Sequence, residues 1–314
     1  MRYRPLGDTG LQISEISLGT VEIGLDYGFK GDAHYGKPDV QASIRLLRTA
    51  LDHGINFLDT ARSYGTSEEI IGQALEGMSS PPYVSSKVLL SKDAAGKPGP
   101  ALRAEIFGSI ETSLRALRRE TLDALLIHNT TLEYLQSQEI LACLEDAQRQ
   151  GKVRFLGASC YDVDVALAVL KQPLFRVLQA PFNLLDQRLS EEGFPAAAAR
   201  NVGVVVRSAY LRGVLTRQVH SIPEPLAPLK ERALQALDTL GGEVNSLAEA
   251  AVRFALTPNG VSSVLIGVKT AAELEANLAD ACRGRLPERF MPGLQALSFG
   301  NDPVADPRTW QGLI

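Results

Sequence analysis

The chain has 314 residues, 45% of them hydrophobic, with a formal net charge of −4 and a pI near 5.7. That size and balance suit a globular protein with one large core, and they supply no basic footprint for nucleic acid or for an anionic membrane surface. Cys143, Cys160 and Cys282 are spread without a CxxC pair, no apolar run nears the ~20 residues of a membrane span, and the N-terminus lacks an apolar signal core. A disulfide framework, a zinc site and export are therefore disfavoured, and a cytoplasmic protein is the expectation.

The first segment carries Gly7-Asp8-Thr9-Gly10 between short β-prone pieces, a turn signal that predicts a hairpin plugging the bottom of a barrel. Apolar runs then alternate with amphipathic stretches. The runs at 15–20, 55–59, 83–88, 122–128, 153–159, 177–181, 203–208 and 263–267 read as strands. Stretches at 40–53, 67–76, 102–118, 132–150, 163–171, 246–256 and 271–282 carry apolar residues at helical spacing. Eight βα units predict an α/β fold of the closed (β/α)8 TIM barrel type, with an open doubly wound sheet as the alternative. Irregular stretches at 24–37, 91–100 and 210–228 each follow a strand, so they belong at the face where barrel enzymes build their sites. Residues 284–314 hold four prolines and read as a tail over the surface of a single domain spanning 1–314.

Asp59 ends the second run with Tyr64 just past it, Lys87 lies in the third and His128 ends the fourth. Neighbouring parallel strands would bring these four to one mouth. A lysine cation against a phenol stabilises phenolate and lowers the tyrosine pKa from its usual ~10, while a carboxylate keeps the lysine charged. Such a set can push a proton onto a carbonyl. Taken singly, Asp59 is an ordinary cap, Tyr64 a packing residue, Lys87 a surface cation and His128 a structural histidine. Their occurrence in register sets those readings aside. No G-x-G-x-x-G follows the first strand and no P-loop pattern occurs, so neither phosphate site is indicated.

The run Asp59-Thr60-Ala61-Arg62-Ser63-Tyr64-Gly65 matches the Asp-x-Ala-x-x-Tyr-Gly signature of the aldo-keto reductases, and the chain resembles that family over essentially its whole length. The resemblance implies a nicotinamide dinucleotide across the barrel mouth, with Thr20 and Asp59 beside it and Ser159 and Gln179 bonded to its carboxamide. Ser208, Tyr210, Leu211, Arg212 and Gly213 fall in a segment similar to the family's pyrophosphate loop. Gly267, Lys269, Glu273 and Asn277 fall in one similar to its adenosine segment. Cys160, Ala276 and Glu273 depart from the pattern. Glu273 would repel the 2′-phosphate of NADP and accept a ribose hydroxyl of NAD, whereas Lys269 would attract that phosphate. The expectation leans to NADP(H), with NAD(H) usable and no metal.

The implied activity is interconversion of an aldehyde or ketone, sugars included, with its alcohol. Tyr64 serves as general acid and base, Lys87 and Asp59 tune it, and His128 holds the substrate oxygen. Tyr27, Phe29, Tyr35, Tyr161, Phe182, Tyr210 and Trp310 are available to line the pocket. In the resembling family the tail folds over the mouth, where Trp310 would touch substrate; the alternative is that it only pins the tail. The partner is a small molecule, and the oligomeric state is open. Two other functions compete: a nucleotide-binding regulatory barrel similar to potassium-channel β-subunits, and a cofactor-free aldolase with Lys87 as Schiff base.

Overall fold

Strands buried on both faces read as continuous apolar runs, because helices cover one side of a parallel sheet and the barrel interior the other. A computed structural model of the chain, described over residues 1–30 and 35–313, has that organisation. Strands β1 (Tyr3–Pro5) and β2 (Gln12–Ser14) form an antiparallel hairpin. The barrel follows in chain order: β3 (Ile16–Gly19), β4 (Phe57–Asp59), β5 (Tyr83–Val88), β6 (Leu122–Ile127), β7 (Val153–Ser159), β8 (Phe175–Pro181), β9 (Gly203–Arg207) and β10 (Val261–Gly267). All neighbours are parallel, and β10 pairs with β3 to close the ring. These strands coincide with the predicted runs to within two residues at either end, and the closed ring rules out the open sheet.

The hairpin buries Leu6, Leu11 and Ile13 against Phe57, Ala124, Leu126, Val177 and Val205 inside the barrel. It is the predicted plug at the end opposite the strand C-termini. Glu15, buried just after it, accepts from Arg2 at 2.6 Å and Arg4 at 2.9 Å and ties the plug to the first barrel strand.

Three expectations change. The helical stretch 132–150 is two helices, Leu132–Gln136 and Gln138–Arg149, broken at Ser137, whose hydroxyl accepts from the Ile140 amide and caps the second. Helices Gly193–Ala199 and Ala227–Leu240 were not anticipated. The first is a short alanine-rich piece, and the second starts inside a stretch read as irregular.

The third change concerns the tail. Trp310 is buried, stacked on Phe29 with ring centroids 6.0 Å apart, and its indole N–H donates to the Val304 carbonyl at 2.9 Å. It pins the tail and does not face the cavity. Phe29 and Phe182 are likewise core residues. Among the described residues no helix is long and apolar enough to cross a membrane, and no cluster of three or more potential ligands is placed to hold a metal.

Candidate active site

Asp59 ends β4 beside Gly19 of β3 and Ser85 of β5, so its carboxylate stands at the C-terminal rim next to the strand that carries Lys87. The Lys87 ammonium donates to Asp59 Oδ2 at 2.6 Å and to the Thr60 carbonyl at 2.9 Å. It lies 4.9 Å from the centroid of the Tyr64 ring. Burial opposes the charge on Lys87, yet Asp59 and Tyr64 together hold its pKa above the ordinary value. The amine is a fixed cation behind the phenol.

Tyr64 sits in a tight turn after β4, and glycine sets its position. A side chain at Gly24 would overlap the Tyr64 carbonyl, and Gly65 takes φ +54° against the Gly24 carbonyl. A chain of hydroxyls secures the same turn: Ser67 donates to Thr20 at 2.7 Å and Thr20 to the Asp59 carbonyl at 2.8 Å. Thr20 lines the cavity, but its proton is spent on this support.

His128 follows β6 and meets Tyr64 edge-on, ring centroids 5.7 Å apart. Burial first, then the cations of Lys87 and Arg207, push its pKa down to about 3. The ring is neutral at working pH. Its Nδ1 is 3.2 Å from Ser63 Oγ; a neutral ring accepting there carries its proton on Nε2 and can donate it.

Ser159 and Gln179 are register partners on β7 and β8. Ser159 donates to Gln179 Oε1 at 3.2 Å, and Gln179 Nε2 donates to Asp59 Oδ1 at 2.7 Å. The two residues expected at the nicotinamide therefore also brace the tetrad.

After β9 the backbone turns left-handed at Ser208, Leu211, Arg212 and Gly213, with φ of 61°, 43°, 54° and 98°. Such conformations are costly for residues with side chains and concentrate at functional loops. Successive turns of this kind aim amide groups at a common centre that suits an anion. The Tyr210 hydroxyl is buried with no partner among the described residues.

A cavity of about 440 Å³ joins these pieces, lined by Asp59, Tyr64 and His128, by Ser159 and Gln179, by Ser208–Gly213 and by Gly267. The residues fit an extended polar dinucleotide. The lining stops short of Lys269, Glu273 and Asn277. Lys269 donates to the Tyr27 carbonyl at 2.8 Å, and the Glu273 carboxylate accepts from the Lys269 amide at 2.9 Å as part of the cap on helix Ala271–Cys282.

Of the three irregular stretches, 24–37 reaches the cavity through Leu25, Asp26 and Tyr27, with 31–34 outside the described residues. The stretch 210–228 contributes Tyr210, Leu211, Arg212 and Gly213. Ser91–Pro100 contributes nothing to the lining, since Ser91 and Lys97 are held by Glu105 instead.

Sequence reasoning missed Glu22 and Arg207, which both line the cavity. Arg207 donates to the Cys160 carbonyl at 3.1 Å and lies 3.8 Å over the Tyr161 ring. The only signal for it was a cation at the end of an otherwise apolar strand. Cys160 itself is a buried small hydrophobe whose thiol burial pushes up to about 12.

The model of the Aldo/keto reductase family matches residues 15–298. Aldo-keto reductase YhdN of Bacillus subtilis is 27% identical over 299 residues, covering 88% of this chain and 87% of that protein. L-galactose dehydrogenase of Arabidopsis thaliana is 27% identical over 289 residues, with 89% and 88% covered. Among solved structures, holo aldo-keto reductase AKR11C1 from Bacillus halodurans superposes with a TM-score of 0.77 at 25% identity, with 95% and 96% covered. A family match across nearly the whole barrel, on a fold whose rim gathers Asp59, Tyr64, Lys87 and His128, places the chain in the aldo/keto reductase family, as an oxidoreductase.

Proposed function

We propose that the protein interconverts an aldehyde or ketone, sugars among them, with its alcohol, using NAD(P)(H) as hydride partner and Tyr64 as the proton donor and acceptor. The observation that carries this reading is Lys87, fixed at 2.6 Å from Asp59 and 4.9 Å from the Tyr64 ring centroid, with His128 against the same phenol. When bound, nicotinamide supplies or accepts the hydride. His128 Nε2 donates to the substrate oxygen and orients it. Tyr64 passes its proton to that oxygen as charge builds there in reduction, and Lys87 stabilises the phenolate left behind. In oxidation the phenolate takes the proton back. Ser159 and Gln179 hold the carboxamide and the loop at 208–213 the pyrophosphate.

Between the two dinucleotides, NADP(H) stands slightly ahead. One Glu273 carboxylate oxygen accepts from the Lys269 amide, and Lys269 stands just before the N-cap of the following helix with its ammonium on the Tyr27 carbonyl. Replacing Lys269 with Ala weakens NADPH by the ~1.5–3 kcal/mol of a charge-assisted hydrogen bond and spares NADH. Equal weakening of both would remove Lys269 from phosphate recognition.

The aldolase reading needs an uncharged amine, and Lys87 is paired with Asp59 and held above its usual pKa. The regulatory reading is disfavoured by the complete tetrad. The deciding experiment titrates the protein into reduced nicotinamide dinucleotide, follows its fluorescence, then adds a panel of carbonyls. Turnover is expected, and Tyr64→Phe should lower it by ~10²–10⁴-fold while leaving dinucleotide affinity unchanged. Binding without turnover on any carbonyl would favour the regulatory barrel.

A further inference from the structure

We infer that Glu22 is a further cofactor-site residue, one that meets the dinucleotide as a neutral carboxylic acid and takes up a proton when the dinucleotide binds. The inference rests on the dinucleotide reading above. Glu22 lies in the first turn after β3 and lines the cavity together with Arg212, Gly213 and Gly267. Its carboxylate is pressed against Gly267 so closely that any side chain there would overlap Glu22 Oε1.

Among the described residues, the charges that face Glu22 come from several elements around the channel. Past the end of β10 stand Lys269, whose ammonium rests on the Tyr27 carbonyl at 2.8 Å, and Glu273, bonded to the Lys269 amide at 2.9 Å. From the loop after β9 comes Arg212, its guanidinium 4.4 Å over the Tyr27 ring. The phenols of Tyr27 and Tyr210 complete the surroundings and are neutral, because burial pushes both up, Tyr27 to about 12. Among the described residues the facing charges are thus two cations and one other carboxylate. Burial outweighs the cations and lifts its carboxyl to about 7.

A dinucleotide brings a doubly charged pyrophosphate into the same cavity. Like charge in a confined, partly desolvated site disfavours the ionised carboxyl further. The protonated form has an O–H to donate where the carboxylate offers only acceptors. Free protein and complex then differ in the proton affinity of one group, and linkage fixes the sign. Below about 7, where the free carboxyl is already protonated, affinity is flat. Above it, binding takes up a proton and affinity falls by up to tenfold per pH unit until the bound carboxyl also ionises.

Calorimetric titration of the full chain with NADH and with NADPH, in two buffers of unlike ionisation enthalpy at about pH 8, counts the protons taken up. NADH is the cleaner probe, since it lacks the 2′-phosphate that titrates near neutrality. Wild type should take up a substantial fraction of one proton with NADH, and its affinity should drop by up to about fivefold between about pH 7 and 8. Glu22→Gln should take up none and bind with little pH dependence over that interval. No uptake by the wild type, or undiminished uptake in Glu22→Gln, overturns the inference. Should the variant fail to fold, the wild-type count and its pH dependence decide alone. Absence of binding heat with either dinucleotide at about pH 6, where Glu22 is protonated, would overturn the dinucleotide reading as well; binding without proton uptake overturns only the role of Glu22.

Discussion

Lys87 shows how a residue type that ordinarily seeks water becomes a buried instrument. Its side chain is fully buried, and it remains charged because Asp59 lies 2.6 Å away and the Thr60 carbonyl accepts a second hydrogen bond. Removing one member of a buried pair strands the other, at a cost of about 3–5 kcal/mol. Lys87→Met should therefore both abolish carbonyl reduction and lower unfolding stability by roughly that amount. Adding Asp59→Asn should recover much of the stability and none of the activity. Denaturant unfolding beside a reductase assay checks both, and a Lys87→Met protein as stable as wild type would refute the coupling. His128 obeys the same logic with opposite sign. Two neighbouring cations and burial keep a proton off the ring, so the hydrogen bond it offers does not change across neutral pH.

At the scale of elements, Asp59, Lys87 and His128 stand at or next to strand ends and Tyr64 in the turn after one, while loops and the tail supply much of the cavity wall. Residues 303–313 form a strap: Pro307 lines the mouth, and Arg308 binds Asp162 at 2.7 and 3.1 Å and lies 4.5 Å over Tyr161. Lys30 donates its amide to the Leu313 carbonyl, and Phe29 stacks on Trp310. The Arg308–Asp162 pair is nearly half exposed, so Arg308→Ala should change stability by no more than ~1 kcal/mol. It loosens Tyr161 and Pro307, and the expected outcome is a raised KM for bulky carbonyls with small aldehydes and dinucleotide affinity little altered. Truncation before Asp302 should do the same more strongly. A truncated protein that keeps the full-length ranking of substrates would show that the strap only closes the core.

Across the whole molecule, titration of His128 couples the site to stability. The unfolded ring binds a proton near 6.5 and the folded ring only near 3. Between those values the unfolded state holds more protons, so stability falls as pH drops through that window and is independent of this group above it. His128→Asn should flatten that part of a denaturant-midpoint profile against pH. An unchanged slope would mean that other groups carry it. The eight barrel strands were legible because parallel strands buried on both faces leave unbroken apolar runs, and Asp59, Tyr64, Lys87 and His128 because each sits at or just past the end of such a run. The break at Ser137 was less legible, since a serine inside a helical period is unremarkable until its hydroxyl caps the next helix. Glu22 and Arg207 carry no local signal: an acid in a first turn and a cation at a strand end acquire meaning only from what lies across the mouth. Trp310 could face substrate or core on sequence grounds, and its stacking on Phe29, 281 positions away in the numbering (310 minus 29), is a long-range contact. Periodicity and strand-end chemistry, which act between neighbours in the chain, thus determined the barrel and the proton-transfer set. Burial, charge surroundings and the path of the tail depend on residues distant in sequence, and only the closed tertiary structure decided them.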